Sequence, residues 1–189
     1  MRIIFLLLVL TGIQTSLPAQ MDTSLRSMTA RETELYNQIM KYRSQKRLDK
    51  IAVSPSMTKV AQCHVRDLNE NTPSDKCGMH SWSSKGVWKA VCYNTDKNAA
   101  KLMWSKPAEL TPYTGNGYEI AFWTTDTAFT AEDALTSWKT SPSHNAVIIN
   151  LGVWKDSDWK AIGIATEGNY AVVWFGDMSD PVKAAITTE

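Results

Sequence analysis

The chain has 189 residues, with 20 Lys+Arg, 19 Asp+Glu and 3 His, giving a formal net charge of +1. That near-neutral balance excludes a basic nucleic-acid clamp and a charge-driven membrane binder. Hydrophobic residues at 43% and charged residues at 21% exclude a disordered chain, and eight tryptophans supply aromatic area for a substantial core.

Arg2, the apolar run 3–10 and the small residue Ala19 read as a secretory signal peptide over residues 1–19. The run is too short for a transmembrane helix, which needs ~20 apolar residues. Arg2 is the only charge in this leader, so its removal leaves 19 basic against 19 acidic residues, with no membrane span remaining. The expected location is secreted or periplasmic, where disulfides persist. Cys63 falls in a helical pattern and reads as a small buried residue. Cys77 and Cys92 flank a loop and are expected to pair, which by loop closure stabilises by roughly 3 kcal/mol.

Residues 20–29 are polar and read as a loose lead-in. Thr29 and Glu32 form a capping-box signature, followed by Leu35, Ile39 and Tyr42 at helical spacing to about Ser44. Ser54-Pro55 starts a second helix, with Met57, Val60, Ala61, His64 and Leu68 on one face, ending within 69–75. The Ser-, Gly- and Trp-rich segment 78–94 reads as loop with short extended pieces. Asp96 is placed to cap a third helix through Trp104, and Pro107 and Pro112 break up the next stretch. Residues 119–123 are short and apolar. Thr130 to Asp133 is a second capping-box pattern, opening a helix through Trp138 that Pro142 ends, so 140–143 reads as loop. Ala146 to Trp154 is apolar and β-branched. Trp159 to Thr166 and Tyr170 to Phe175 are strand-like and joined across Gly168-Asn169, a hairpin signal. Helices first and strands last give an α+β class, with helices packed on an antiparallel sheet.

The chemistry rests on few groups. His64 lies on an apolar helix face and reads as a satisfied core or boundary histidine. His80 and His144 lie in predicted loops, where sites concentrate. Gly-x-Ser-x-Gly, His-Glu-x-x-His and phosphate-binding glycine loops are all absent, and the sequence names no catalytic residue.

Six segments in order nevertheless resemble one family. They are Ile39 to Arg43, Ser54 to Leu68, His80-Ser81, Gly117 to Ala121, Trp138 with Ser141-Pro142-Ser143-His144, and the pair Ile162-Gly163-Ile164 and Trp174-Phe175-Gly176. Together they resemble the CAP superfamily of cysteine-rich secretory, venom-allergen and plant pathogenesis-related proteins. The resemblance implies a CAP domain over 30–180 with a tail at 181–189. It also implies a three-layer α-β-α sandwich with a small antiparallel sheet between helices.

The family's cavity holds two histidines and two acids, and the matching positions here are His80, Glu119 and His144. The second acid is missing, because Ser141 stands at its place. Glu132, before Trp138, is a poor substitute, and Ile120 replaces the family's Asn after Glu119. Two imidazoles and one carboxylate suit a divalent ion with an open position, so zinc held by His80 and His144 is the candidate cofactor.

Trp82, Trp88 and Trp123 are candidates to stack on a ligand near this cleft. The expected function is that of a secreted, non-enzymatic module whose His/Glu cleft binds a small ligand, lipid, glycan or protein. The alternatives are a metal-dependent hydrolase and a lipid or sterol carrier.

Overall fold

The computed structural model describes residues 25–94 and 96–183. The expected signal peptide, the start of the lead-in and the end of the tail lie outside the described residues. Helix α1 (Ala30–Gln45) begins at a complete capping box: the Thr29 side chain accepts from the Glu32 amide, and the Glu32 carboxylate accepts from the Thr29 amide. Helix α2 (Pro55–Glu70) takes Ser54 as N-cap and Pro55 at its first position, and Asp96 caps α3 (Lys97–Trp104). Pro107 sits inside the short helix α4 (Lys106–Leu110) without breaking it, because the first-turn amides have no intrahelical partner to lose. Strand β1 (Gly117–Trp123) comes next, then α5 (Ala131–Thr140), capped reciprocally by Thr130 and Asp133.

Two sequence expectations change here. Pro142 ends α5 but also opens a further helix, α6 (Pro142–Ile148), so His144 is helical rather than in a loop. The apolar stretch 146–154 accordingly finishes α6 and passes into a 3-10 turn at Gly152–Trp154. Val147, Ile148 and Ile149 are buried in this helical setting, so packing overrides their β preference. The lead-in is not loose either. Over its described part, the Arg26 amide donates to Gln62 Oε1 at 3.0 Å, and Gln62 Nε2 donates back to the Arg26 carbonyl at 2.7 Å.

Strands β2 (Ala161–Glu167) and β3 (Tyr170–Gly176) form the expected hairpin, with Gly168 at φ +52° in the turn. The antiparallel sheet has the order β1-β3-β2. The central strand β3 is buried on both faces, and its alternation divides the core. Ala171, Val173 and Phe175 pack with Ile162, Ile164 and Ile120 against α1, α5 and α6. Val172 and Trp174 pack with Ala161, Ala165 and Ala121 against α2 and α3. This is the expected α+β sandwich, with the sheet between helical layers.

The α2 side of β2 reads Ala161, Gly163, Ala165, which are all small. A β-carbon at Gly163 would lie 2.1 Å from the Met57 carbonyl carbon and 2.2 Å from its oxygen. Those are backbone atoms of α2 and cannot rotate away. Gly163→Ala is therefore expected to lower stability by about 1–3 kcal/mol, read as a lower urea midpoint. An unchanged midpoint would mean that α2 can withdraw from the sheet at no cost.

Cys77 and Cys92 form the expected disulfide, and Cys63 is buried in α2. No helix among the described residues is long and apolar enough to cross a membrane.

Candidate functional site

The loop that carries His80 is tied along its length. The disulfide closes its ends. Gly78 donates its amide to the Tyr93 carbonyl at 2.9 Å, and the Tyr93 amide donates to Ser81 Oγ at 2.8 Å. Trp82 and Val91 exchange two backbone bonds at 2.8 and 2.9 Å. The segment is thus a pinned loop, with one isolated antiparallel bridge between Trp82 and Val91. His144 is fixed differently, on the first turn of α6. That helix is held to α1 by Tyr42, which donates to Asn145 Oδ1 at 3.0 Å, and by Arg43, which donates to the Ile148 carbonyl at 2.7 Å.

Glu119 follows from strand parity. It lies opposite Trp174 on β3 and shares the α2-facing side with Ala121. Its side chain is wholly buried between two imidazoles: His80 Nδ1 lies 2.8 Å from Oε2, and His64 Nδ1 lies 2.8 Å from Oε1. The first is a hydrogen bond. The second is as short but lies off the ideal hydrogen-bond direction. Burial alone would raise the Glu119 pKa, but the facing His64 and His80 outweigh it and hold the carboxyl at about 2. Burial likewise works against a charged His80, and Glu119 overcomes it, so the His80 pKa is raised. His144 shifts the other way: burial and then the neighbouring His80 charge lower its pKa. The two rings stand edge to face, with centroids 6.4 Å apart. Of this pair, His80 takes up a proton first.

The structure therefore brings His80, Glu119 and His144 together, and it adds His64. That histidine is fully buried and stacks on Trp82 at 4.4 Å with an interplanar angle of 5°. The expectation of a core histidine holds for its burial, but it also faces the Glu119 carboxylate. The helical period placed His64 on the inner face of α2. Nothing local in the sequence could show that Glu119 lies opposite.

Other expected members lie elsewhere. Ser141 is the N-cap residue of α6, with its Oγ 3.3 Å from Ser143 Oγ, and supplies no acid. Glu132 lines a groove between α1 and α5 with Glu34, Lys41, Tyr42 and Lys139, outside the histidine cluster. Trp82 and Trp88 do not offer open stacking faces. They are only 2% and 6% exposed, and their rings meet edge to face at 4.8 Å. Large apolar rings adjoining α2 gain more from burial than from a wet cleft. Trp123, at the end of β1, is 51% exposed and borders a groove of about 340 Å³ with Pro73, Met79 and Tyr170.

The donor set does not fit a resident zinc centre. Protein zinc sites take three or four protein ligands, whereas both Glu119 oxygens face imidazoles. Among the described residues no three His, Cys, Asp or Glu side chains are grouped to hold an ion.

The fold is similar to that of solved bacterial proteins. An outer surface protein from Borrelia burgdorferi aligns at TM-score 0.54 and 19% identity, over 86% of this chain and 100% of that one. An extracellular protein containing an SCP domain from Bacillus anthracis aligns at TM-score 0.55 and 13% identity, over 78% of this chain and 40% of that one. A cysteine-rich secretory protein from Staphylococcus aureus aligns at TM-score 0.50 and 14% identity, over 78% and 39%. At these identities the likeness is one of fold. No curated protein sequence matches the chain. The model of the cysteine-rich secretory protein family, CAP, matches residues 36–177, and with the sandwich and the order of its motifs in agreement, the chain belongs to that family.

Proposed function

We propose that this is an exported CAP-domain binding module, not an enzyme, and that its cleft receives an anionic oxygen group of a ligand between His80 and His144. One observation carries this reading: both oxygens of Glu119 are engaged by imidazole nitrogens at 2.8 Å. A carboxylate held that way, with a pKa of about 2, is a poor proton acceptor at neutral pH. Ser141 offers no second acid, so a two-carboxylate mechanism has no partner. What remains toward solvent is one imidazole that favours its charged form beside one that does not. That pair suits a carboxylate or phosphate oxygen, accepting a charge-assisted hydrogen bond from His80. Export is supported by the N-terminal leader pattern and the disulfide.

The test uses histidine-resolved NMR with acetate and inorganic phosphate as separate probes. Saturable shifts at His80 and His144 are expected, and His80→Ala should weaken binding at least about tenfold, the loss of one hydrogen bond to a charged group. Unmoved His80 and His144 signals at high probe concentration would overturn the reading. So would zinc-dependent ester hydrolysis that His80→Ala abolishes.

A further inference from the structure

His64 is a buried group whose two ring nitrogens both face elements that hold His80. Its Nε2 lies 3.0 Å from the Ser81 carbonyl oxygen. A carbonyl only accepts, so Nε2 carries its hydrogen. Its Nδ1 lies 2.8 Å from Glu119 Oε1, and both side chains are wholly buried. Without a proton between them, two lone pairs would face each other away from water, which is costly. The other oxygen of Glu119 takes His80 Nδ1, and Ser81 is the next residue after His80. The stacked Trp82 ring fixes the plane of His64, and the buried Lys106 places Nζ 5.4 Å from that same indole.

We propose that His64 is the positioning residue of the cleft. Its Nε2 anchors the ring on the Ser81 carbonyl, and it is the hold of its Nδ1 on the Glu119 carboxylate that makes His80 commit Nδ1 to Glu119 and keep Nε2 for a ligand. This rests on the reading of His80 as the ligand-facing group, but it is tested without any ligand, so its failure and the failure of ligand binding are separable.

Two substitutions divide the contacts of His64. In His64→Asn the amide nitrogen takes the place of Nδ1, toward Glu119. In His64→Gln it takes the place of Nε2, toward Ser81. With histidine nitrogens labelled, the wild type should show an exchange-protected proton on His80 Nδ1 at neutral pH. His64→Asn should retain that signal and His64→Gln should lose it. Survival of the signal in His64→Gln, or equal loss in both variants, would overturn the proposal. Where a variant does not fold, the wild-type spectrum decides. His64 must then show a bound or shared proton at Nδ1 as well as at Nε2, and a bare lone pair at Nδ1 would overturn the proposal equally.

Discussion

Glu119→Ala is expected to cost about 3–5 kcal/mol of folding stability, the scale for breaking a buried ion pair from one side. The substitution strands two imidazoles at once. His64 is fully buried and keeps only its bond to Ser81, while His80 loses its hydrogen bond. At roughly 2–4 °C per kcal/mol for a domain of this size, the melting temperature falls by about 6–20 °C. The pH profile should change as well. The folded pKa of Glu119, about 2, lies below its ordinary value of 4.5, so its stabilisation is complete above pH 4.5 and is lost as pH falls toward 2. His80 has the opposite sign. Its raised pKa contributes stability in full below 6.5, lost as pH rises through the folded value. Both contributions depend on Glu119, so the variant should show a flatter stability–pH curve between acid and neutral. Urea titrations at several pH values measure this. A loss below about 1 kcal/mol would mean that the imidazoles find other partners.

Glu32→Ala should be nearly as damaging, at about 2–4 kcal/mol, combining a lost helix cap with an orphaned amide. The Glu32 side chain is wholly buried, yet its partners come from three parts of the chain. It takes both guanidinium nitrogens of Arg26 at 2.7 and 2.6 Å, the Thr29 amide at 2.7 Å, and the Thr166 amide of β2 at 2.7 Å. It thus joins the lead-in, the start of α1 and the edge of the sheet. Burial opposes its ionisation, but these donors prevail and lower its pKa. Its stabilisation is accordingly present above pH 4.5 and fades below. Arg26 is one-third exposed and can return to water, so the cost falls mainly on the two amides. Limited proteolysis should cut the segment before α1 faster in the variant, in parallel with a lower urea midpoint. Unchanged cleavage and midpoint would show that Gln62 alone holds the lead-in.

The helix starts were legible because capping is local. Thr29 with Glu32, Ser54 with Pro55, and Thr130 with Asp133 each declare themselves within four residues, and Gly168-Asn169 does the same for the hairpin. Pro142 was misread for a related reason. The same residue ends one helix and favours the first position of the next, and only the continuation decides which matters. The site was half legible. His80, Glu119 and His144 were marked by motif resemblance, and the structure brings them together. Trp82 and Trp88 read as candidates to stack on a ligand but are buried, since adjacency along the chain does not tell which face of a ring meets water.

By itself the sequence determined the class, the starts of α1, α2, α3 and α5, the β2–β3 hairpin, the disulfide and the family, but not the short helices α4 and α6. The tertiary structure decided which groups surround Glu119. Helical period placed His64 on the inner face of α2, and strand parity placed Glu119 on the same side as Trp174. Whether those two faces meet depends on how closely α2 lies on the sheet. The small row Ala161, Gly163 and Ala165 sets that closeness, far along the chain from His64, through a contact no local pattern encodes. A histidine that reads as core in one dimension lies, in three, against the buried carboxylate of Glu119.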